Sequence, residues 1–307
     1  MGSSLGLYNY LIQQGHHAKV ITPTDYPEFL AWMPGNGDVM IYTENVAQAE
    51  ALIADAAIIF CLDFNALGRI NEMGVKVGES QAYKVMIDHH LEPEDFDDYR
   101  FWNINACATA QLVYQFIVEV LKNKALVNPD VATCLYTGIM TDSASFRLPN
   151  TTSAVHRIAA DLIDLGAVNW RIHELVYNNA SEDRVRFLGH CLVNRLEVIH
   201  EYNTAFIAVN HDDLEKYNVV TGDTEGVVNY ALSISNVRLA AFIVERRDKI
   251  KLSLRSKGEF PANDICKKYF NGGGHRNAAG GTSTDSLQQV IDQFKLILPK
   301  YKNLLIQ

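Results

Sequence analysis

The stretch Lys84-Val85-Met86-Ile87-Asp88-His89-His90 decides how this chain is read. A short apolar run, Val85-Met86-Ile87, stops at an acid and two imidazoles. Such a run suits a strand buried on both faces of a parallel sheet. In open parallel sheets ligands collect just beyond the carboxyl ends of the strands. One Asp or one His there would read most simply as a polar loop capping the next helix. Three such groups in succession point instead to a metal or phosphate site.

Outward from that stretch, strand-like and helix-like segments alternate. Ala56–Asp63 is a second buried run ending in an acid, and a helix near Leu67–Met73 separates it from the first. Shorter strands are expected at Ala18–Thr22 and Val39–Tyr42, and helices at Val46–Ala54, Ala108–Leu121, from Pro129 through Met140, Thr151–Gly166 and Trp170–Tyr177. Such alternation predicts a parallel sheet with helices on both faces. Ser3–Gln14 reads as a helix capped by Ser3 or Ser4 and stopped by Gly15, with no strand to feed it. Beyond the polar residues Asn178–Arg186 the pattern changes to strands at Val193–His200, Thr204–Asn210, Ala240–Arg246 and Lys249–Arg255. The last two form a hairpin about Arg247-Asp248. A helix over Pro261–Phe270, a glycine-rich run and an amphipathic helix over Ser286–Leu298 close the chain. The expected division is a first domain over 1–177, a linker over 178–186 and a second domain over 187–307.

Bulk properties narrow the function. The 307 residues carry a formal net charge of −9, with 48% hydrophobic and 21% charged residues. That is ordinary for a soluble protein of about two domains. It argues against coating long DNA or RNA, which needs many basic phosphate contacts. Small phosphate esters stay open, because a bound divalent cation inverts the local field. Cys61, Cys107, Cys134, Cys191 and Cys266 are odd in number and lack metal-type spacing, as expected of buried thiols in a reducing compartment. No apolar run has the length of a membrane span and no signal segment opens the chain, so a cytoplasmic protein without membrane contact is expected.

Three acids stand out. Asp63 follows Leu62, Asp88 follows Ile87, and Asp142 follows the apolar segment ending at Met140-Thr141. With His89 and His90 they are expected on one edge of one sheet. Carboxylate oxygens and imidazole nitrogens together suit Mn²⁺, with Mg²⁺ and Co²⁺ as competitors. A carboxylate can also bridge two ions, as two-metal phosphoryl chemistry requires. The second signal is Asn271-Gly-Gly-Gly-His275-Arg-Asn-Ala-Ala-Gly-Gly281, whose glycines let backbone N–H groups approach an anion. It is neither a Walker nor a Rossmann pattern. A tight turn packed under a helix is the plain alternative; His275 and the upstream Arg255-Ser256 favour a phosphate or carboxylate cradle.

Asp88-His89-His90 followed much later by Phe270-Asn-Gly-Gly-Gly-His275 resembles the DHH/DHHA1 phosphoesterases. Within them the chain looks most like the nanoRNase/pAp-phosphatase group, the bifunctional oligoribonucleases and PAP phosphatases. The resemblance covers essentially the whole chain. It implies a truncated DHH domain, a smaller α/β DHHA1 domain and an active site in the cleft between them. It further implies that Asp63 bridges two Mn²⁺ ions and that His89 and Asp142 complete one of them. His90 would contact the scissile phosphate while Asp88 orients the histidines. Arg255, Ser256, Gly273, Gly274 and His275 would hold the substrate's other end, with Glu225–Asn229 facing the cleft. The implied reaction is in-line attack of a metal-bound hydroxide on very short oligoribonucleotides and on 3′-phosphoadenosine 5′-phosphate. A homodimer is implied as well.

The family's first motif, His-x-Asn-Pro-Asp-Gly-Asp-Ala-x-Gly-Ser, is absent except for its tail at Gly2-Ser3. It supplies one His and two Asp, so Asp63, His89 and Asp142 alone would hold one metal weakly and hardly two. The expectation is a late start site or a shortened chain, with about 30 further residues upstream, enough for a helix and a strand; the chain as written would then lack activity. Alternatives are a cyclic or linear dinucleotide phosphodiesterase of the same family and a non-catalytic nucleotide-binding module. A long-strand exonuclease would want a basic channel with stacking aromatics. An inorganic pyrophosphatase would lack the Gly-Gly-Gly-His domain.

Overall fold

The computed structural model describes residues 1–306. Two compact units are present, Met1–Asn179 and the remainder from Ala180.

The first unit contains α1 (Gly2–Ile12), β1 (Ile21–Thr22), β2 (Met40–Ile41), α2 (Val46–Asp55), β3 (Ile58–Leu62), α3 (Glu72–Glu79), β4 (Tyr83–Asp88), β5 (Tyr99–Trp102), α4 (Thr109–Gln115), α5 (Pro129–Asp142), α6 (Ser153–Asp164) and α7 (Asn169–Tyr177). Strands β3, β4 and β5 form a parallel sheet in that order, with Leu62 opposite Ile87 and Asp88 opposite Trp102. A separate parallel pair joins β1 to β2. The alternation along β4 explains its unbroken apolar run. Val85 and Ile87 enter a core built with α1, α4, α5 and α6. Met86 turns the other way, onto Cys61, Ile53 of α2 and Val77 of α3. Helices therefore cover both faces, as a parallel sheet requires.

Several local expectations need correction. Helix α1 begins at Gly2 with Met1 in the cap position, so neither Ser3 nor Ser4 caps it, and Ser3 is buried. Gly2 crosses α5 so closely that a Cβ would lie 2.6 Å from the Gly138 Cα. The expected helix near Leu67–Met73 is a 3₁₀ turn, Leu67–Ile70, followed by α3. Strand β5 was not anticipated. Its four residues carry no alternation to see and are preceded by the acidic run Glu92–Asp98. The third acid, Asp142, lies at the last residue of α5, the helix expected from Pro129.

The second unit contains α8 (Glu182–His190), β6 (Leu196–Ile199), β7 (Thr204–Val209), α9 (His211–Lys216), α10 (Val227–Ser233), β8 (Leu239–Glu245), β9 (Ile250–Ser256), α11 (Ala262–Tyr269), β10 (Gly273–His275), β11 (Ala278–Ser283), α12 (Leu287–Ile297) and α13 (Lys302–Leu305). Its six strands run β10-β11-β9-β8-β7-β6, antiparallel throughout except for β7 and β8. Ser181 caps α8, which takes up the second half of the polar stretch 178–186. Ser286 caps α12 in a reciprocal box with Gln289. All five cysteines are buried and unpaired. No helix among the described residues is long and apolar enough to cross a membrane.

Candidate metal centre

Because β3 and β4 are parallel neighbours in register, their carboxyl ends deliver Asp63 and Asp88 side by side. The Asp63 amide donates to the Ile87 carbonyl at 3.2 Å, and its φ of 69° turns the chain sharply off the strand. Left-handed backbone is tolerated by Asp better than by most residues. The two histidines follow Asp88 without a break. Asp142 arrives from the opposite direction, at the end of α5.

The side chains divide by depth. Asp88 is 0% exposed and His89 3%, whereas Asp63 is 48% and Asp142 45% exposed. Asp88 is thus a floor on which the accessible groups stand. Its Oδ1 accepts from the His89 amide at 2.7 Å, the His90 amide at 3.3 Å and His90 Nδ1 at 2.8 Å. Its Oδ2 is buried with no hydrogen-bond partner.

Both imidazole tautomers follow from their acceptors. His89 Nδ1 lies 2.9 Å from the Ala106 carbonyl, which can only accept, so Nδ1 carries the proton and the other nitrogen faces the acids. His89 Nε2 stands 3.2 Å from Asp142 Oδ2 and 3.7 Å from Asp63 Oδ1. His90 donates Nδ1–H to Asp88, leaving Nε2 to meet the Arg69 guanidinium at 3.2 Å. One ligand atom from each of Asp63, Asp88, His89 and His90 lies within 4.8 Å of the others. An orphaned buried carboxylate oxygen, two exposed carboxylates and two imidazoles turned inward by their supports fit a divalent cation.

Electrostatics agree with a site built for positive charge. Burial disfavours the charged form of Asp63, but the Thr109 hydroxyl, donating to Oδ1 at 2.7 Å, and the neighbouring His90 and His89 hold its pKa below the usual value. Burial likewise disfavours protonated His89. The hydrogen bond and charge of Asp142, the Ala106 carbonyl and Asp63 outweigh it and raise the pKa to about 9. Without a metal, the His89 proton occupies the space between the two carboxylates.

The glycine-rich run forms an antiparallel hairpin, with Gly273 opposite Gly280 and His275 opposite Ala278, at the edge of the six-stranded sheet. It is not a loop opening a helix. The glycines are demanded by close packing: a Cβ on Gly272 would sit 2.0 Å from the Gly280 carbonyl oxygen, and Gly274 has φ 134°. Arg255 lies opposite Ala278 in the next strand, on the side-chain row that also carries His275. Ser256 is buried, its hydroxyl donates to the Phe260 carbonyl at 2.7 Å and accepts from Asn277 Nδ2 at 2.9 Å, so it pins the following loop.

A family model described as "DHH family, N-terminal domain" matches residues 1–139, and one described as "DHHA1 domain" matches residues 199–300. The crystal structure of an exopolyphosphatase-related protein from Bacteroides fragilis is 40% identical, covers 100% of this chain and 89% of its own, and superimposes with a TM-score of 0.94. The chain belongs to the DHH family. Proteins named bifunctional oligoribonuclease and PAP phosphatase NrnA are similar to this DHH chain. That of Bacillus subtilis is 25% identical over 250 residues, 81% of this chain and 77% of its own length. That of Thermus thermophilus is 28% identical over 290 residues, 92% of this chain and 79% of its own.

In this DHH protein the carboxylates and histidines singled out from the sequence, Asp63, Asp88, His89, His90 and Asp142, converge on one point. Sequence reasoning missed three supports: the Thr109 hydroxyl on Asp63, the Ala106 carbonyl on His89, and Trp102, whose indole donates to the His90 carbonyl at 2.8 Å. Arg69 also went unremarked. None carries a local signal, because each acts across the fold; only Thr109, heading a predicted helix, sat where a search for caps would have paused.

Proposed function

We propose that this chain is a divalent-metal-dependent phosphoesterase acting on very short oligoribonucleotides and on 3′-phosphoadenosine 5′-phosphate, with Mn²⁺ as its ion. The observation that carries the reading is the arrangement around Asp88: one buried carboxylate fixes His90, the Ala106 carbonyl fixes His89, and the His89 ring turns Nε2 toward the exposed Asp142 and Asp63. Membership of the DHH family and the names of the relatives from Bacillus subtilis and Thermus thermophilus support this substrate class.

Asp63, His89 and Asp142 hold the ion, which supplies Lewis acidity toward a phosphoryl oxygen and makes water easier to deprotonate. His90 presents Nε2 to an oxygen of the reacting phosphate, while Asp88 Oδ1 keeps Nδ1–H in place. Arg255, the Gly273-Gly274 backbone and His275 bind the rest of the substrate, and Ser256 supports Arg255 by fixing the chain behind it. A second reading, hydrolysis of inorganic polyphosphate, is favoured by the 40% identical relative from Bacteroides fragilis, which is named as exopolyphosphatase-related.

The test is turnover of a labelled diribonucleotide, of 3′-phosphoadenosine 5′-phosphate and of tripolyphosphate with Mn²⁺. It is run on this chain and on the chain preceded by an Asp-Gly-Asp first-motif segment. Hydrolysis of the nucleotides that chelator abolishes and Mn²⁺ restores is expected from at least one form. Nucleotides left intact by both forms would overturn the proposal, and cleavage of tripolyphosphate alone would install the second reading.

A further inference from the structure

The sheet of the second unit packs one face on α11 and α12 through Leu239, Ala241, Ile243, Leu252 and Leu254, and the other on α10 through Ala240, Phe242 and Val244. On the other face the register sets Arg255, Ser253 and Lys251 in line along β9, beside Ala240, Phe242 and Val244 of β8. Two residues past Val244, on the same alternation, comes Arg246. A cavity opens here, lined among others by Arg246, Lys251, Arg255, Ser253, Thr224 and Glu225.

Arg246 is the telling residue. Its side chain is partly buried, and loss of hydration pulls its pKa below the ordinary arginine value. Among the described residues it makes no ion pair, and its one side-chain hydrogen-bond partner is Thr224 Oγ1, at a long 3.5 Å. Glu225 lines the same cavity without pairing to it. A guanidinium has five donors arranged to match two oxygens of a carboxylate or phosphate. Withdrawing it from water without a counter-charge is costly, and an anion received in the cavity offsets that cost. Three cations on one cavity wall favour a group of more than one negative charge. The neighbouring Ser253 and, across the sheet, Gly280 and Gly273 are small and leave the approach open.

We propose that this cavity is a phosphate-binding site in which Arg246, with Thr224 and Lys251, grips a substrate phosphate other than the one hydrolysed. The inference rests on the phosphoesterase reading above and names what that reading leaves open, the determinant that selects substrates with at least two phosphates. Arg255 and Lys251, four residues apart on one strand, stand roughly 13 Å from each other. A ligand bearing two separated phosphates engages both ends of the row.

The experiment measures equilibrium binding to the full chain in chelator, where turnover cannot interfere. Its probes are 5′-phosphorylated ApA, unphosphorylated ApA and tripolyphosphate, and its proteins are the unaltered chain, Arg246→Ala and Arg246→Lys. Arg246→Ala is expected to weaken 5′-phosphorylated ApA by about tenfold or more and ApA by less than twofold, with partial recovery in Arg246→Lys. Equal losses on both dinucleotides would make Arg246 merely structural and overturn the proposal, as would no loss on either. Should the alanine variant fail to fold, the lysine variant and Arg246→Gln carry the same comparison. The tripolyphosphate arm separates inorganic from nucleotide phosphate. Arg246-dependent binding of tripolyphosphate by a chain that never hydrolyses nucleotides would keep the site and sink the nucleotide reading. Nucleotide hydrolysis with Arg246-independent binding would do the reverse.

Discussion

The His89 imidazole sits between Asp142 and Asp63 with a pKa raised to about 9, so at neutral pH a divalent ion enters by displacing a proton. Binding at pH 7 should release about one proton per ion, and affinity should rise by up to about tenfold per pH unit until the curve flattens near pH 9. Calorimetric titrations in two buffers of different ionisation enthalpy read this directly; heats independent of buffer would refute it. The stability of the metal-free chain has the opposite sign. The folded pKa exceeds the ordinary 6.5, so the contribution is full below about 6.5 and is lost as pH rises through about 9. The Thr109 hydroxyl is the second lever at this scale. Thr109→Val should lower metal affinity roughly tenfold, as loss of an outer support commonly does, while Thr109→Ser should leave it nearly intact. Equal affinities for all three would show that Asp63 needs no such support. Asp88-His89-His90 was legible because all three residues are contiguous and end an apolar run. Thr109 and Ala106 were not, because their contribution depends on where α4 begins relative to a strand tens of residues earlier.

Among the elements, the strand-end acids of β3 and β4 could be read from their apolar approaches, and Asp142 from the helix that starts at Pro129. The segment before it is apolar in a way that suits strand or helix, and the Asn128-Pro129 start with its side-chain cap on Val131 is what makes it a helix. The glycine hairpin is a different lesson. Its glycines read equally as an anion cradle or a tight turn, and the packing requirement is the part the structure adds. Gly272→Ala would drive a Cβ to 2.0 Å from the Gly280 carbonyl oxygen and into 2.6 Å of the Gly281 Cα, both backbone atoms that cannot swing aside. It should destabilise the second unit by more than about 2 kcal/mol. Thermal or denaturant unfolding that matched the parent chain would show that the hairpin yields more readily than its geometry indicates.

Over the whole molecule, the change from alternating helices and strands to antiparallel pairing was visible in the sequence, as was the class of fold on either side of it. Strand β5 was lost for want of length. Cysteine placement also spans the molecule: Cys61, Cys107 and Cys134 lie in the first unit, Cys191 and Cys266 in the second, and burial pushes every one of these thiols up to about 12. Thiol reagents should therefore find no reactive group in the native protein and should label in two groups as the units open. Mass spectrometry of partly labelled chains checks this; a single thiol modified quickly under native conditions would contradict it.

The closeness of α1 to α5 carries a consequence for anyone scoring variants in bulk. Gly138 lies one turn before Asp142, and a methyl group there would press to 2.6 Å of Ala110 Cβ and 3.3 Å of Gly2 Cα. Ala110 is the immediate neighbour of Thr109. An alanine at Gly138 thus tilts the helix that delivers one carboxylate and jostles the turn that steadies another. In a saturation screen this inert, half-buried glycine should rank beside the ligands themselves, and a map drawn from fitness alone would place the reactive centre one helical turn too deep.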